Sequence, residues 1–156
     1  MNAAADSVGR PADERALEEV FERIHRERMA DLPLLNDRLR VEALGFRDHQ
    51  GVRVGALVTP WSINLVILPP AAAPQALGPP GQSRSWTFPS GEYLFDAAEE
   101  PALGGYAQCS LFSPAFEFER HEHAVAAARA ALEALFDPPP PPQPARLSRR
   151  GLLLGG

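Results

Sequence analysis

GALVTPWSINLVILPP, residues 55–70, is the longest apolar stretch of the chain, yet Pro60, Ser62 and Asn64 interrupt it. A helix that crosses a bilayer needs about 20 mostly apolar residues, so no membrane insertion is expected. The period is two, the alternation of a strand. Val52, Val54, Ala56 and Val58 fall on one face, and Trp61, Ile63, Leu65 and Ile67 repeat the pattern. By that alternation Trp61 and Asn64 occupy opposite faces of one strand. Thr59-Pro60 imposes a turn or sharp bend between the segments, because proline donates nothing to a ladder and restrains the residue before it. Val66, Ile67 and Leu68 are apolar on both faces, which predicts a central strand covered by a helix.

Outward from this run, RDHQG between Phe46 and Val52 reads as a hairpin loop, with Gly51 available for positive φ. Short strands near Trp86, at Tyr93–Phe95 and over Tyr106–Phe112 complete a mainly antiparallel sheet. Pro69 to Gln82 is a Pro/Ala/Gly loop, longer than most connections in compact domains. From Ala12 to Ala30, Leu17, Val20, Phe21 and Ile24 recur at helical spacing, and Pro33 ends the helix. Leu34 and Leu35 are expected to tuck under the sheet. A second helix spans His121 to Phe136, with Val125, Ala128, Leu132 and Leu135 on its buried stripe. Helix, sheet and helix predict a single α+β domain whose sheet is flanked by an N-terminal and a C-terminal helix. The expected boundaries are a disordered N-terminus over 1–11, the domain over 12–136, a proline-rich linker over 137–145 and a flexible tail over 146–156.

Composition narrows the function. With 156 residues, 45% of them hydrophobic, the chain supports one core. Its one cysteine, Cys109, can form neither an internal disulfide nor a cysteine-rich metal site, which fits a reducing, cytoplasmic setting. The net charge is −5; from Asp137 onward three arginines outweigh one aspartate by two charges, so residues 1–136 carry −7. An acidic body excludes nucleic acid as the main partner, since phosphate binding needs clustered positive charge.

Catalytic motifs are weak, and neither an enzyme nor a cofactor is expected. Cys109 shares strand parity with Ala107 and Leu111 and reads as a small buried residue. His121-Glu122-His123 resembles a metal pair, but residues two apart on a helix diverge. Ser90 in FPSGE lacks the flanking glycines of a nucleophile elbow and reads as a turn serine. Gly104-Gly105 precedes a strand, where a phosphate-cradling loop needs a helix start. Binding is better supported. Aromatic residues cluster near turn residues Pro89, Gly91, Ser113 and Pro114, where contact with a partner explains them better than packing does. The tail holds Ser148-Arg149-Arg150-Gly151-Leu152-Leu153-Leu154, similar to a twin-arginine export consensus but lying at the C-terminal end.

Taken together, LNDRLRVEALGF, GVRVGALVTPWSINLVILPP, WTFPSGEYLF and LGGYAQCSLFSPAFEFE resemble the HybE family of [NiFe]-hydrogenase assembly chaperones, which includes HupJ- and HoxT-type proteins. The likeness spans about Leu34 to Leu135. It implies a cytoplasmic, non-catalytic accessory protein in the maturation of an exported hydrogenase. The implied partners are the small-subunit precursor, with its twin-arginine signal peptide as a candidate segment, and the large subunit. Pro60, Trp61, Asn64, Phe88, Pro89, Gly91, Tyr106, Ser113, Pro114 and Phe116 match the family's motif positions and form a hypothetical interface set. On this reading the tail residues Ser148, Arg149, Arg150, Leu152 and Leu153 mimic a client. Two alternatives stand beside it: an interaction module of another metalloenzyme pathway that ignores signal peptides, and a redox or metal-handling protein using Cys109 and His123.

Overall fold

The structure, a computed structural model, describes residues 12–70, 72–73 and 76–139. Helix α1 (Ala12–Ile24) continues into a π-helical turn, His25–Met29. Six strands follow: β1 (Glu42–His49), β2 (Val52–Val58), β3 (Ile63–Leu68), β4 (Ser83–Phe88), β5 (Gly91–Glu100) and β6 (Gly104–Phe112). Helix α2 (His121–Leu135) closes the described domain. Every strand pair is antiparallel, in the order β1-β2-β3-β6-β5-β4. The α+β class and the flanking helices therefore match the sequence expectation. The N-terminus 1–11, the tail motif and most of the proline linker lie outside the described residues.

All six residues of β3 are buried, so both faces of the sheet require cover. On one face Val54, Ala56, Ile63, Leu65, Ile67, Phe95 and Ala107 pack against Ala124, Ala128, Leu132 and Leu135 of α2. On the other, Leu57, Val66 and Leu68 meet Leu17, Val20 and Phe21 of α1. The sheet coils around α2 until its two edge strands meet at one corner. There His49 of β1 lies 3.0 Å from the Thr87 carbonyl of β4 and stacks on Phe88 at 4.6 Å.

Local chemistry fixes the joints. The RDHQG loop is tighter than expected: β1 runs on to His49, leaving only Gln50 and Gly51, both at positive φ, as a two-residue hairpin turn. Pairing of β1 slips between Leu44 and Arg47, with Gly45 at φ 72, and this bulge turns Phe46 onto the α1 face. The Phe46 ring then lies flat over Gly55, where a β-carbon would collide with it. The edge strand is tied to α1, since the Glu14 and Glu18 carboxylates accept from the Phe46 and Ala43 amides at 3.1 and 2.8 Å. Leu34 is 46% exposed and Leu35 half-buried, contrary to the expectation that both tuck under the sheet. Asn36 does that work instead, donating to the Ala115 and Phe118 carbonyls at 2.9 and 2.8 Å while its own amide donates to Pro60 O at 2.7 Å. A buried amide with every partner made pins the connector more specifically than a leucine can.

Replacing Gly55 with alanine is expected to cost about 1–3 kcal/mol by overpacking against Phe46. In urea melts the midpoint falls at unchanged slope, and adding Phe46→Leu recovers part of the loss. An unshifted midpoint contradicts the packing described.

Candidate functional site

Thr59 shapes the bend that the sequence forced. Its hydroxyl accepts from the amides of Trp61 (3.2 Å) and Ser62 (2.9 Å), and its amide donates to Ser62 O at 2.8 Å. Pro60 is fully buried beneath this turn. The bend breaks strand parity, so Trp61 and Asn64 do not sit on opposite faces as alternation implied. Both line one cleft of about 380 Å³ on the α1 side of the sheet, joined there by Tyr106 and Ser113. Four of the ten interface positions are thus brought together.

The others lie elsewhere. Phe88 is 3% exposed and packs against His49 and Phe136, so its ring is committed to the core. Pro89 and Gly91 form the β4–β5 hairpin, with Pro89 exposed. Pro114, exposed, follows a cis peptide bond, and Phe116, 54% exposed, borders a second hollow with Leu35 and Arg38. The tail positions lie outside the described residues.

The cleft also holds residues that sequence reasoning missed. Arg28 reaches over it from the π-helical turn, its Nη2 2.8 Å from Glu100 Oε1. Asp96 and Glu100 share the α1 face of β5, and Gln108 of β6 stands in register with Asp96. For Asp96 and Glu100 the only signal was the polar alternation of β5, which reads as an ordinary solvated face until register is known. Aromatic rings build one wall: Phe21 stacks on Trp61 at 6.4 Å and meets Tyr106 edge-on at 5.9 Å, and His25 lies 5.9 Å from Trp61. On the floor Asn64 donates from Nδ2 to Gln108 Oε1 at 3.0 Å. Asn64 is 8% exposed, and its Oδ1 has no hydrogen-bond partner among the described residues.

Burial, and then the charge of Glu100, push the Tyr106 phenol up to about 12, with Arg28 opposing. Tyr106 is therefore a neutral donor at any physiological pH. Burial and the nearby Asp96 likewise raise the Cys109 thiol, the reverse of what a nucleophilic or metal-binding cysteine needs. Cys109 is half-buried against the α2-side core, less enclosed than the sequence suggested. His121 is a structural joint: Nδ1 accepts from the Arg40 amide at 3.2 Å, leaving Nε2 to donate to Glu42 at 2.8 Å. His123 is exposed. Ser90 lies in the β4–β5 turn, its hydroxyl 2.6 Å from that of Tyr93. Among the described residues no three His, Cys, Asp or Glu side chains are grouped to hold a metal ion, and no helix is long and apolar enough to cross a membrane. The cleft offers acceptors, one buried phenol and aromatic walls, which is the chemistry of recognition.

The family described as "[NiFe]-hydrogenase assembly, chaperone, HybE" matches residues 12–155. The chain is 42% identical to the hydrogenase expression/formation protein HupT of Azotobacter chroococcum, over 88% of this chain and 94% of that one. It is 39% identical to the protein HoxT of Cupriavidus necator, over 90% and 87%. The solution structure of HybE from Escherichia coli superposes with a TM-score of 0.64 at 24% identity, covering 81% of this chain and 78% of that one, a likeness of fold.

Because Tyr106 is favoured neutral in the folded protein, its contribution to stability is fully present below pH 10 and is lost as pH rises towards about 12. Denaturant melts across that window are expected to show a steeper loss for the parent chain than for Tyr106→Phe. Parallel curves contradict the buried, Glu100-facing placement.

Proposed function

We propose a client for this protein from one premise: the chain belongs to the [NiFe]-hydrogenase assembly chaperone HybE family. It acts as a chaperone in hydrogenase assembly. The client we assign is the small-subunit precursor, held in the cytoplasm until its large-subunit partner is complete, with the twin-arginine signal peptide as the segment recognised. The observation that carries this reading is the cleft between the π-helical turn and the sheet, where aromatic rings stand beside Asp96, Glu100 and an unsatisfied Asn64 oxygen. A signal peptide offers what such a surface lacks, cationic donors followed by apolar side chains. The −7 charge of residues 1–136 adds long-range attraction for a basic segment and speeds encounter. Trp61, Asn64, Tyr106 and Ser113 are the interface residues of this proposal, joined by Asp96, Glu100 and Gln108, with Arg28 standing over them.

Affinity purification of the tagged chain from cells making hydrogenase tests the assignment. The small-subunit precursor is expected to co-purify, and a precursor lacking its signal peptide to be recovered at least about fivefold less, as loss of a central binding segment implies. Recovery of the large subunit alone, or equal recovery of both precursor forms, contradicts the assignment.

A further inference from the structure

The protein already places an arginine of its own in the cleft. Arg28 projects from the π-helical turn and pairs with Glu100 at 2.8 Å, yet its side chain remains 56% exposed while that of Glu100 is only 17% exposed. The carboxylate belongs to the cleft, and the guanidinium is a visitor. Pairs in which one long side chain stays solvated are readily exchanged.

Beneath Arg28 the polar groups are short of donors. Asp96 accepts from the Ser83 hydroxyl at 2.5 Å and has a second carboxylate oxygen to offer. Gln108 Oε1 is engaged by Asn64 Nδ2, while Asn64 Oδ1, on a side chain more than nine-tenths buried, has no partner among the described residues. A buried carbonyl oxygen left unpaired is costly, and buried polar groups are seldom left so. Trp61 and Tyr106 line the same cleft, and aromatic rings attract a delocalised cation.

We infer that the cleft is a guanidinium subsite, taking one arginine side chain of a bound peptide between Asp96, Glu100 and Asn64, with Arg28 as its resident surrogate in the free protein. This deepens the client assignment and rests on it only for the occupant being a polypeptide. Arginine suits the site better than lysine. Its planar fork carries five N–H donors, enough to meet two carboxylates and an amide oxygen together, and it stacks on aromatic faces; an ammonium has three donors and no plane.

The test is fluorescence anisotropy on the full chain with a dye-labelled peptide, Gly-Ser-Arg-Gly-Leu-Leu-Leu-Gly, and two matched peptides carrying lysine or citrulline in place of arginine. The arginine peptide is expected to bind about tenfold tighter than either, because charge and fork geometry are both used. Glu100→Gln and Asp96→Asn each remove most of that preference and leave the citrulline peptide unaffected. Arg28→Ala, a change at a solvated side chain that leaves the fold intact, strengthens arginine-peptide binding several-fold by vacating the site. Equal binding of the arginine and citrulline peptides overturns the inference, as does weaker arginine-peptide binding by Arg28→Ala or no binding by either chain. The two readings fail separately, since peptide discrimination is read in vitro with no hydrogenase present, and client capture is read from cells.

Discussion

A strand with no wet side governs this molecule. Because all six residues of β3 are buried, the sheet needs a layer on each face, and the chain provides one helix from each end. The energetic balance favours that arrangement decisively. Each fully buried Val, Leu or Ile contributes about 1.5–3 kcal/mol, and β3 supplies five of them, Ile63, Leu65, Val66, Ile67 and Leu68. The sixth residue, Asn64, carries a side-chain oxygen with no partner among the described residues, at a cost of about 1–3 kcal/mol. The apolar neighbours outweigh it, so the strand stays buried and keeps a polar defect beside the cleft.

The two faces are covered unequally. The α2 side is wrapped by a sheet coiled until β1 and β4 touch, giving a continuous core. The α1 side is covered over β1, β2 and β3, while Ser83, Ser85, Thr87, Glu92, Leu94 and Asp96 of β4 and β5 remain exposed. The cleft opens at that boundary, where α1 has loosened into its π-helical turn; such turns recur at functional sites. A rigid floor and a rim built on a locally widened helix suit an assembly chaperone.

The period-two runs and the two helical stripes made the architecture legible in the sequence, down to which residues of β2 share a face; that α2 covers that face came from the structure. The order of the strands was not legible, nor was the bulge at Gly45 that puts Phe46 over Gly55, because both depend on pairing between distant segments. Trp61 was misplaced for a definable reason: Thr59 and Ser62 close a turn there, and alternation does not carry through a turn. No local signal separates Arg28, Asp96, Glu100 and Gln108 from ordinary solvated surface. They meet only because β5 and β6 pair with Asp96 opposite Gln108 and because α1 ends above them. Of the motif positions, Asn64, Tyr106 and Ser113 line the cleft, whereas Phe88 and Pro60 are buried in the core.

Hydrogen exchange followed by mass spectrometry, on the chain alone and in complex with a hydrogenase small-subunit precursor, tests the central claim most directly. The account predicts slowed exchange at His25–Met29, at Trp61–Ser62 and around Ser113, the amides that rim the cleft outside regular strand pairing. Protection confined to Leu32–Arg38 and Phe116, or to the β4–β5 hairpin, with the cleft rim unchanged, would contradict it.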